Sequence, residues 1–432
     1  MTSIGTLRSA TEGSAEYQTL LARLARRGES DLDRVEPAVR EILAAVRAEG
    51  DAALGRYVER FEQRKPKAWL ERDYGGKAAL ESLPAPVREA LVEAAARIRR
   101  YHQTQAEHLG GFEYTENGVT LGSRVTPLAR VGVYAPGGKA RYPSSVLMCA
   151  VPAQVAGVSE IVVASPDTSA EVRAACHLAG VHALLDAGGA QAVAALAYGT
   201  ASVPRVDKIV GPGNIYVAAA KRLVFGEVDI DSIAGPSEIL VVADESADPV
   251  LIAADLLSQA EHDEAAYPLL VTTSAELVAR VSAQLAKQLE ALPRKAIASA
   301  SVQNNGFALI VRDRGGLISV ANELAAEHVA VHTVDPRALA DRILRAGAIF
   351  VGSMTPEAAG DYLAGPSHVL PTGGAARYGA PLGVYDFVSR TSIIGYEPAA
   401  LTAQGPKITA FARSEGLEAH ARAVEFRTLP KS

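Results

Sequence analysis

Cysteine is scarce in this chain: among 432 residues only Cys149 and Cys176 occur. Two isolated cysteines supply neither a disulfide framework nor a CxxC metal pair, which fits a reducing compartment. The N-terminal segment lacks the continuous apolar stretch of a secretory signal. No window approaches the roughly 18 uninterrupted apolar residues that would suggest a membrane-spanning helix. We therefore expect a soluble, cytoplasmic globular protein.

Positive charge and aromatic residues are also in short supply. The formal net charge is −6 and the isoelectric point is near 5.9, which argues against a nucleic-acid or anionic-membrane partner, because such partners favour a basic surface. Aromatic residues make up 5% of the chain and apolar residues 48%, so the core must be built mainly from Ala, Val, Leu and Ile. A chain of this length exceeds the size at which a single core keeps growing, so we expect at least two domains.

The first part of the chain has the periodicity of helices. Residues 31–64 and 85–109 place apolar side chains three and four positions apart, with Asp31 or Asp33 available as a cap. We expect a helical N-terminal region over residues 1–117 that packs with the second of two α/β domains. Near residue 118 the pattern changes to the alternation of strands.

Short apolar runs then alternate with helical windows, which indicates parallel strands joined by crossover helices. Four such runs, in RVGVYAP, EIVVASP, HALLDAGG and DKIVGPG, predict a first α/β domain over residues 118–236. Five more, in SEILVVADES, YPLLVTTS, FALIVRD, HVAVHTV and AGAIFVG, predict a second over residues 237–380. The tail, residues 381–432, has too little apolar sequence for a core of its own, so we expect it to pack on something else, such as a partner subunit.

Glycine turns at two of the predicted strand ends could bind a nucleotide. No GxGxxG fingerprint follows a strand, but YAPGGKARYPS and GPGN precede helices, where backbone N–H groups can meet a pyrophosphate. Glycine is equally common at such turns for conformational reasons, and a doubly wound fold does not determine function. The turns alone leave both interpretations open.

Two segments almost 100 residues apart contain candidate metal ligands. LLSQAEHDE places Gln259 and His262 three positions apart, which on a helix is one face. GDYLAGPSHVLPTGG places Asp361 seven residues before His368. A carboxylate and a second imidazole arriving from elsewhere would complete the mixed nitrogen and oxygen shell that zinc accepts.

Between these segments, ELAAEHVAVHT carries the adjacent pair Glu327 and His328, which we interpret as candidates for proton transfer beside a metal. Taken singly, each residue also has an ordinary interpretation. His262 and His420 could be exposed helix residues, Gln259 a solvated one, and His328 a residue near a helix end. Their joint presence indicates a metal-dependent enzyme.

Over nearly its whole length the chain resembles the histidinol dehydrogenase family. The resemblance lies in VGVYAPGG, LMCAVPAQVAG, DKIVGPGNIYVAAAK, DIDSIAGPSEILVVAD, DLLSQAEHD, AEHVAVHT, AGAIFVG, GDYLAGPSHVLPTGG and GVYDFVSRTSII. It implies an α/β fold of two incomplete Rossmann-like, doubly wound domains with small N- and C-terminal extensions. It also implies a homodimer whose C-terminal tails are exchanged. The implied activity is the last step of histidine biosynthesis, the oxidation of L-histidinol with two NAD⁺ and water to L-histidine through an aldehyde.

The resemblance also implies roles for individual residues. Glu327 and His328 correspond to the acid/base pair, with His328 serving the alcohol step and Glu327 the hydration of the aldehyde. One zinc per subunit would be held by Gln259, His262, Asp361 and His420, the last from the partner subunit. Contacts to NAD fall on Tyr134, Gln191 and Asn214. Contacts to the substrate fall on Ser237, Gln259, His262, Glu327, Asp361, His368, Glu415 and His420.

Other functions remain open at the level of the sequence. A paralogous zinc- and NAD-dependent dehydrogenase could oxidise another hydroxymethyl compound, such as a sulfonated diol, and should differ at Ser237, His368 and Glu415. A metal-dependent hydrolase could use Glu327 to activate water on a metal-bound carbonyl. A binding protein without catalytic activity would leave the metal and acid/base residues without a purpose.

Overall fold

The computed structural model describes residues 5–27, 32–137 and 142–428, and it has the predicted α/β class. Its strands are, in chain order, β1 (Arg8–Thr11), β2 (Leu70–Glu71), β3 (Phe112–Glu116), β4 (Val119–Pro127), β5 (Arg130–Tyr134), β6 (Glu160–Ala164), β7 (Ala183–Leu185), β8 (Lys208–Val210), β9 (Asp229–Ile230), β10 (Glu238–Ala243), β11 (Tyr267–Thr272), β12 (Phe307–Ile310), β13 (His328–His332), β14 (Ala348–Val351) and β15 (Val388–Tyr396).

The helices lie between these strands and at both ends of the chain. They are α1 (Ala15–Ala25), α2 (Leu32–Glu49), α3 (Asp51–Glu62), α4 (Gly76–Ser82), α5 (Ala85–Glu107), α6 (Pro143–Val155), α7 (Ala170–Leu178), α8 (Gly189–Tyr198), α9 (Ile215–Val224), α10 (Pro249–Ala260), α11 (Ala275–Leu289), α12 (Lys295–Asn305), α13 (Arg314–Leu324), α14 (Pro336–Ala340), α15 (Glu357–Tyr362), α16 (Pro398–Ser414) and α17 (Glu418–Thr428), with short 3-10 helices at Ala375–Arg377 and Val384–Phe387. Among these described helices, none is long and apolar enough to cross a membrane.

Two six-stranded sheets form the centre of the fold, and they repeat one topology. The first has the order β2-β7-β6-β5-β8-β9 and the second the order β1-β12-β11-β10-β13-β14. All pairs are parallel except β2 with β7. The nine apolar runs of the sequence are all strands of these sheets, because nearly continuous Val, Ile and Leu suit strands covered on both faces. In each sheet, successive strands are added first on one side of a central strand and then on its other side. This reversal of strand order lies between β5 and β8 in the first sheet and between β10 and β13 in the second.

The N-terminal region divides between the two sheets, which corrects the prediction that it packs with the second domain. Residues of β1 and α1 join the core of the second sheet, where Tyr17 and Leu24 are buried. Helix α2 instead buries its apolar face in the core of the first sheet, and Ile98 of α5 lies in the core on that sheet's other face. The strand β1, within a segment predicted to be helical, pairs with β12.

The C-terminal tail leaves apolar side chains uncovered. Strand β15 pairs antiparallel with β4, which also pairs with β3, and α16 packs against α17. Phe411 is 69% exposed and Phe426 is 74% exposed. As far as residue 428, the tail therefore leaves apolar surface open to further contacts.

Candidate active site

The two central sheets meet at a cavity of about 330 Å³. It lies beyond the carboxyl ends of β5 and β8 in the first sheet, the reversal point where open α/β sheets bind ligands. In the second sheet it lies instead at the amino ends of β10 and β13, since Ser237, Glu327 and His328 line it. The cavity therefore lies between the carboxyl ends of the strands of one sheet and the amino ends of the strands of the other.

Helix α10 brings Gln259 and His262 to this cavity. The helix begins at Pro249, where the side chain of Asp248 accepts a hydrogen bond from the backbone N–H of Val250 (2.8 Å). Gln259 is buried in the last turn, and His262 follows the helix end. Both line the cavity. The carboxyl end of a helix also favours a cation nearby.

The segment that contains α15 supplies the other residues of this wall. Asp361 lies in α15 and His368 in the loop after it, with 3.7 Å between Asp361 Oδ1 and His368 Nδ1. Both line the cavity together with Ser237. Burial lowers the pKa of His368, and burial together with Glu357 raises the pKa of Asp361.

Glu327 and His328 lie side by side where β13 begins, and both are buried. His328 Nδ1 is 3.0 Å from the backbone oxygen of Glu238 and 3.5 Å from Glu327 Oε2. Because a carbonyl oxygen only accepts hydrogen bonds, Nδ1 carries the hydrogen and Nε2 is the basic nitrogen of the neutral ring. Burial by itself lowers the pKa of His328, but the neighbouring carboxylates, chiefly Glu327, outweigh it and raise that pKa to about 10.

Glu357 belongs to this group although the sequence did not single it out. It is 1% exposed, its Oε2 accepts a hydrogen bond from Ser258 Oγ (2.5 Å), and its Oε1 is 3.8 Å from His328 Nε2. Burial raises its pKa. Its position four residues before Asp361 on a helix is the signal that could have revealed it.

Several buried polar atoms around the cavity lack a hydrogen-bond partner within the described part of the chain. They are Gln259 Oε1, His328 Nε2, Glu357 Oε1 and His368 Nε2. Ligand atoms of His328, Glu357 and Asp361 lie within 4.8 Å of one another. Unpartnered buried nitrogen and oxygen atoms, with carboxyl pKa values raised by burial, are the donor set expected around a divalent cation. His262 lines the same cavity but is not part of the three-residue group.

A second cavity, of about 780 Å³, contains the residues predicted to bind NAD. Tyr134, Gln191 and Asn214 all line it, and Asn214 lines the first cavity as well. Tyr134 ends β5, and its hydroxyl oxygen accepts a hydrogen bond from the backbone N–H of Gly189 (2.9 Å). Asn214 caps α9 by accepting from the backbone N–H of Tyr216 (3.0 Å). The two cavities are thus adjacent at Asn214.

Of the two glycine turns considered as nucleotide-binding segments, GPGN and YAPGGKARYPS, only the first lies wholly within the described residues. In GPGN, Gly211 has a φ of 112°, and a Cβ there would lie 2.2 Å from the backbone oxygen of Tyr134. Glycine is therefore required at this position for conformational reasons, while the same turn lines the first cavity. In YAPGGKARYPS, residues 138–141 lie outside the described residues.

Two predicted site residues are not brought to the cavity within one chain. Glu415 and His420 lie in the tail, are exposed, and line neither of the two cavities described above. The other predicted catalytic, metal and substrate residues all line the first cavity.

Comparisons with known proteins identify the family of the chain. Residues 25–428 match the family model described as histidinol dehydrogenase. Relatives named histidinol dehydrogenase are 51% identical in Syntrophotalea carbinolica, covering 96% of this chain and 97% of the relative, and 49% identical in Dechloromonas aromatica, covering 96% of each. The chain belongs to the histidinol dehydrogenase family. It is therefore a dehydrogenase. A crystal structure of histidinol dehydrogenase from Elizabethkingia anophelis matches 98% of each chain with a TM-score of 0.90 at 31% identity.

Proposed function

We propose that the protein oxidises L-histidinol to L-histidine through L-histidinal, with zinc and two NAD⁺, as the last step of histidine biosynthesis in the cytoplasm. One observation carries this proposal: the acid/base pair Glu327 and His328 shares a cavity with Gln259, His262 and Asp361. That cavity adjoins a second one containing Tyr134 and Gln191. An alcohol, a proton acceptor and a nicotinamide can therefore meet at one place.

The residues of the second cavity support NAD as the hydride acceptor. The cavity lies at the carboxyl edge of the first sheet, beside the strand-order reversal, where dinucleotides bind in this class of fold. Its position next to the first cavity at Asn214 would let the nicotinamide reach the substrate while the rest of the cofactor occupied the second cavity, which α2, α3 and the first turns of α8 and α9 line.

Part of this donor set suits a bound zinc ion, namely the unpartnered Oε1 of Gln259 and the largely buried carboxyl of Asp361, with His262 on the same cavity wall. Gln259, His262 and Asp361 would hold it, together with the partner subunit's His420. When bound, zinc would grip the substrate and fix the reacting carbon in place, a contribution of proximity and charge. The positive charge would also stabilise the ionised form of Asp361, whose pKa is raised by burial.

In the first half-reaction His328 is the base. As the alcohol carbon gives its hydride to NAD⁺, the hydroxyl proton passes to His328 Nε2 and the carbon–oxygen double bond of the aldehyde forms. The backbone oxygen of Glu238 keeps the hydrogen on Nδ1 (3.0 Å), so Nε2 is the nitrogen that accepts the proton when the ring is neutral. Against the effect of burial, the carboxylates alone raise the pKa of His328 to about 10, and the positive charge of a bound zinc ion would lower it and so favour the neutral ring. Glu357 Oε1, 3.8 Å from Nε2, stabilises the imidazolium that results.

In the second half-reaction Glu327 is the base. Water adds to the aldehyde carbon while Glu327 takes one of its protons, which leaves the monoanion of the gem-diol, and this anion gives a second hydride to a second NAD⁺. Loss of the remaining acidic proton leaves the carboxylate of histidine. Glu327 is placed for this role at the cavity wall, with Oε2 accepting a hydrogen bond from the backbone N–H of Glu238 (2.9 Å).

The position of the tail supports a homodimer with shared sites. His420 and Glu415 are exposed and line neither cavity of their own chain. The tail also exposes Phe411 and Phe426, and apolar surface of this kind marks an interaction site. We propose that each tail delivers its histidine and glutamate to the partner's cavity.

Replacing a proposed metal ligand should remove zinc and activity together. For His262→Ala and Asp361→Ala we expect metal analysis to find well under one zinc per subunit and turnover of histidinol to fall to near background. His177→Ala, which changes an exposed histidine, is the matched control and should keep both. Full activity in a protein freed of metal would refute the zinc assignment.

A further inference from the structure

The backbone of Glu238 contacts both members of the acid/base pair. Its N–H donates to Glu327 Oε2 (2.9 Å), and its carbonyl oxygen accepts from His328 Nδ1 (3.0 Å). Glu238 is the first residue of β10. The next residue of that strand, Ile239, lies opposite His328 in the parallel pairing of β10 with β13. One peptide segment therefore sets the orientation of the Glu327 carboxylate and the tautomer of His328.

The side chain of Glu238 is itself anchored, although it is 1% exposed and its burial raises its pKa. Its Oε1 accepts a hydrogen bond from the backbone N–H of Gly373 (2.7 Å). Its Oε2 accepts from the Nε of Arg27, and the two side chains form an ion pair of which each member is 1% exposed. The guanidinium opposes the effect of burial on the Glu238 carboxyl.

Arg27 also donates hydrogen bonds to two further segments, at the ends of α1 and α13. Its Nη1 donates to the backbone oxygen of Leu24 (2.8 Å), and its Nη2 donates to the backbone oxygen of Leu324 (2.9 Å). Leu324 ends α13, three residues before Glu327. A planar guanidinium with several donors is suited to hold such fixed acceptors, whereas a lysine ammonium is not.

Stability alone is a weak reason for an ion pair this deeply buried. The loss of hydration of two buried charges often exceeds their attraction, and apolar replacements of both partners are often neutral or stabilising. The contacts of Glu238 with Glu327 and His328 supply a different reason, because proton transfer depends on placement to within an ångström.

We propose that Arg27 and Glu238 are positioning residues that hold Glu327 and His328 in the geometry for proton transfer. Arg27 fixes the Glu238 side chain and the end of α13, and the Glu238 backbone then fixes the two catalytic side chains. The inference rests on the roles proposed above for Glu327 and His328. Neither Arg27 nor Glu238 lines the first cavity, so neither needs to touch the substrate.

The test compares Arg27→Met, Glu238→Gln and the double variant with the wild type. Each single variant leaves a buried charge or donor set without its partner, so the melting temperature should fall. We expect kcat for histidinol to fall about tenfold to a hundredfold, the scale of a small misplacement of catalytic groups, with KM and zinc content unchanged. In the double variant no unpaired charge remains, so the melting temperature should recover while kcat stays low.

The controls separate this inference from the proposed function. Arg26→Met changes an exposed neighbour and should match the wild type throughout. Arg27→Lys keeps the positive charge but loses the planar set of guanidinium donors. This variant should fold even if the other variants do not, and its kcat should still be low. Recovery of kcat together with stability in the double variant, or a wild-type kcat in folded Arg27→Lys, would overturn the positioning role. Failure of the wild type and of Arg26→Met to oxidise histidinol would instead reject the proposed function.

Discussion

His328→Asn is expected to slow the first hydride transfer from histidinol by about 10²–10⁴-fold, the usual contribution of a positioned base. The substitution removes Nε2, the nitrogen left basic by the contact of Nδ1 with the backbone oxygen of Glu238 (3.0 Å). Binding of histidinol should change much less, because the proposed ligands Gln259, His262 and Asp361 are intact. Single-turnover formation of NADH, measured with enzyme in excess, reports this step directly.

Glu327→Gln should give the complementary result. Because Glu327 is proposed to act on water, this variant should oxidise supplied histidinal poorly while the first transfer from histidinol is less affected. Glu264→Gln, which changes an exposed glutamate, is the matched control and should resemble the wild type in both half-reactions. Equal losses of His328→Asn and Glu327→Gln in both half-reactions would show that the two roles are shared or wrongly divided.

Two inactive variants, His262→Ala and His420→Ala, should regain activity when they are combined. If the tail crosses to the partner, a heterodimer has one intact site and one site with both lesions. Random pairing makes half of the dimers heterodimers, so about a quarter of all sites should work in a dimer of this symmetry. The measurement is turnover after co-expression, or after the two purified variants are unfolded and refolded together.

The physical reason for this expectation is the position of the tail. His420 and Glu415 are exposed and line neither cavity of their own chain. If the tail folded back on its own chain, every site would carry one lesion and mixing would recover nothing. No regained activity, with heterodimers shown to form, would reject the shared site and leave the chemistry untouched.

The two parallel sheets could be predicted from the sequence because buried parallel strands are nearly continuous apolar runs. Strand β1 could not, since its sequence Arg-Ser-Ala-Thr has no apolar run and only Ala10 is buried. It becomes a strand by pairing with β12, a contact between residues almost 300 positions apart. For the same reason the packing of α2 and α5 on the first sheet was not foreseen: an amphipathic helix shows which face is buried but not which core receives it.

The candidate site shows a similar limit. Gln259, His262, Glu327, His328, Asp361 and His368 belong to short motifs, and the structure brings all six to one cavity. Glu357 and the pair of Arg27 with Glu238 were not foreseen, because a single charged residue in a sequence is indistinguishable from a solvated one. Only their burial and their contacts with His328 and Glu327 identify them.

The ratio of NADH formed to histidinol consumed tests the central claim most directly. We predict two NADH for each histidinol converted to histidine, with turnover abolished by a chelator and restored by zinc. One NADH per histidinol with release of the aldehyde, or no turnover of histidinol by the zinc-loaded enzyme, would contradict it.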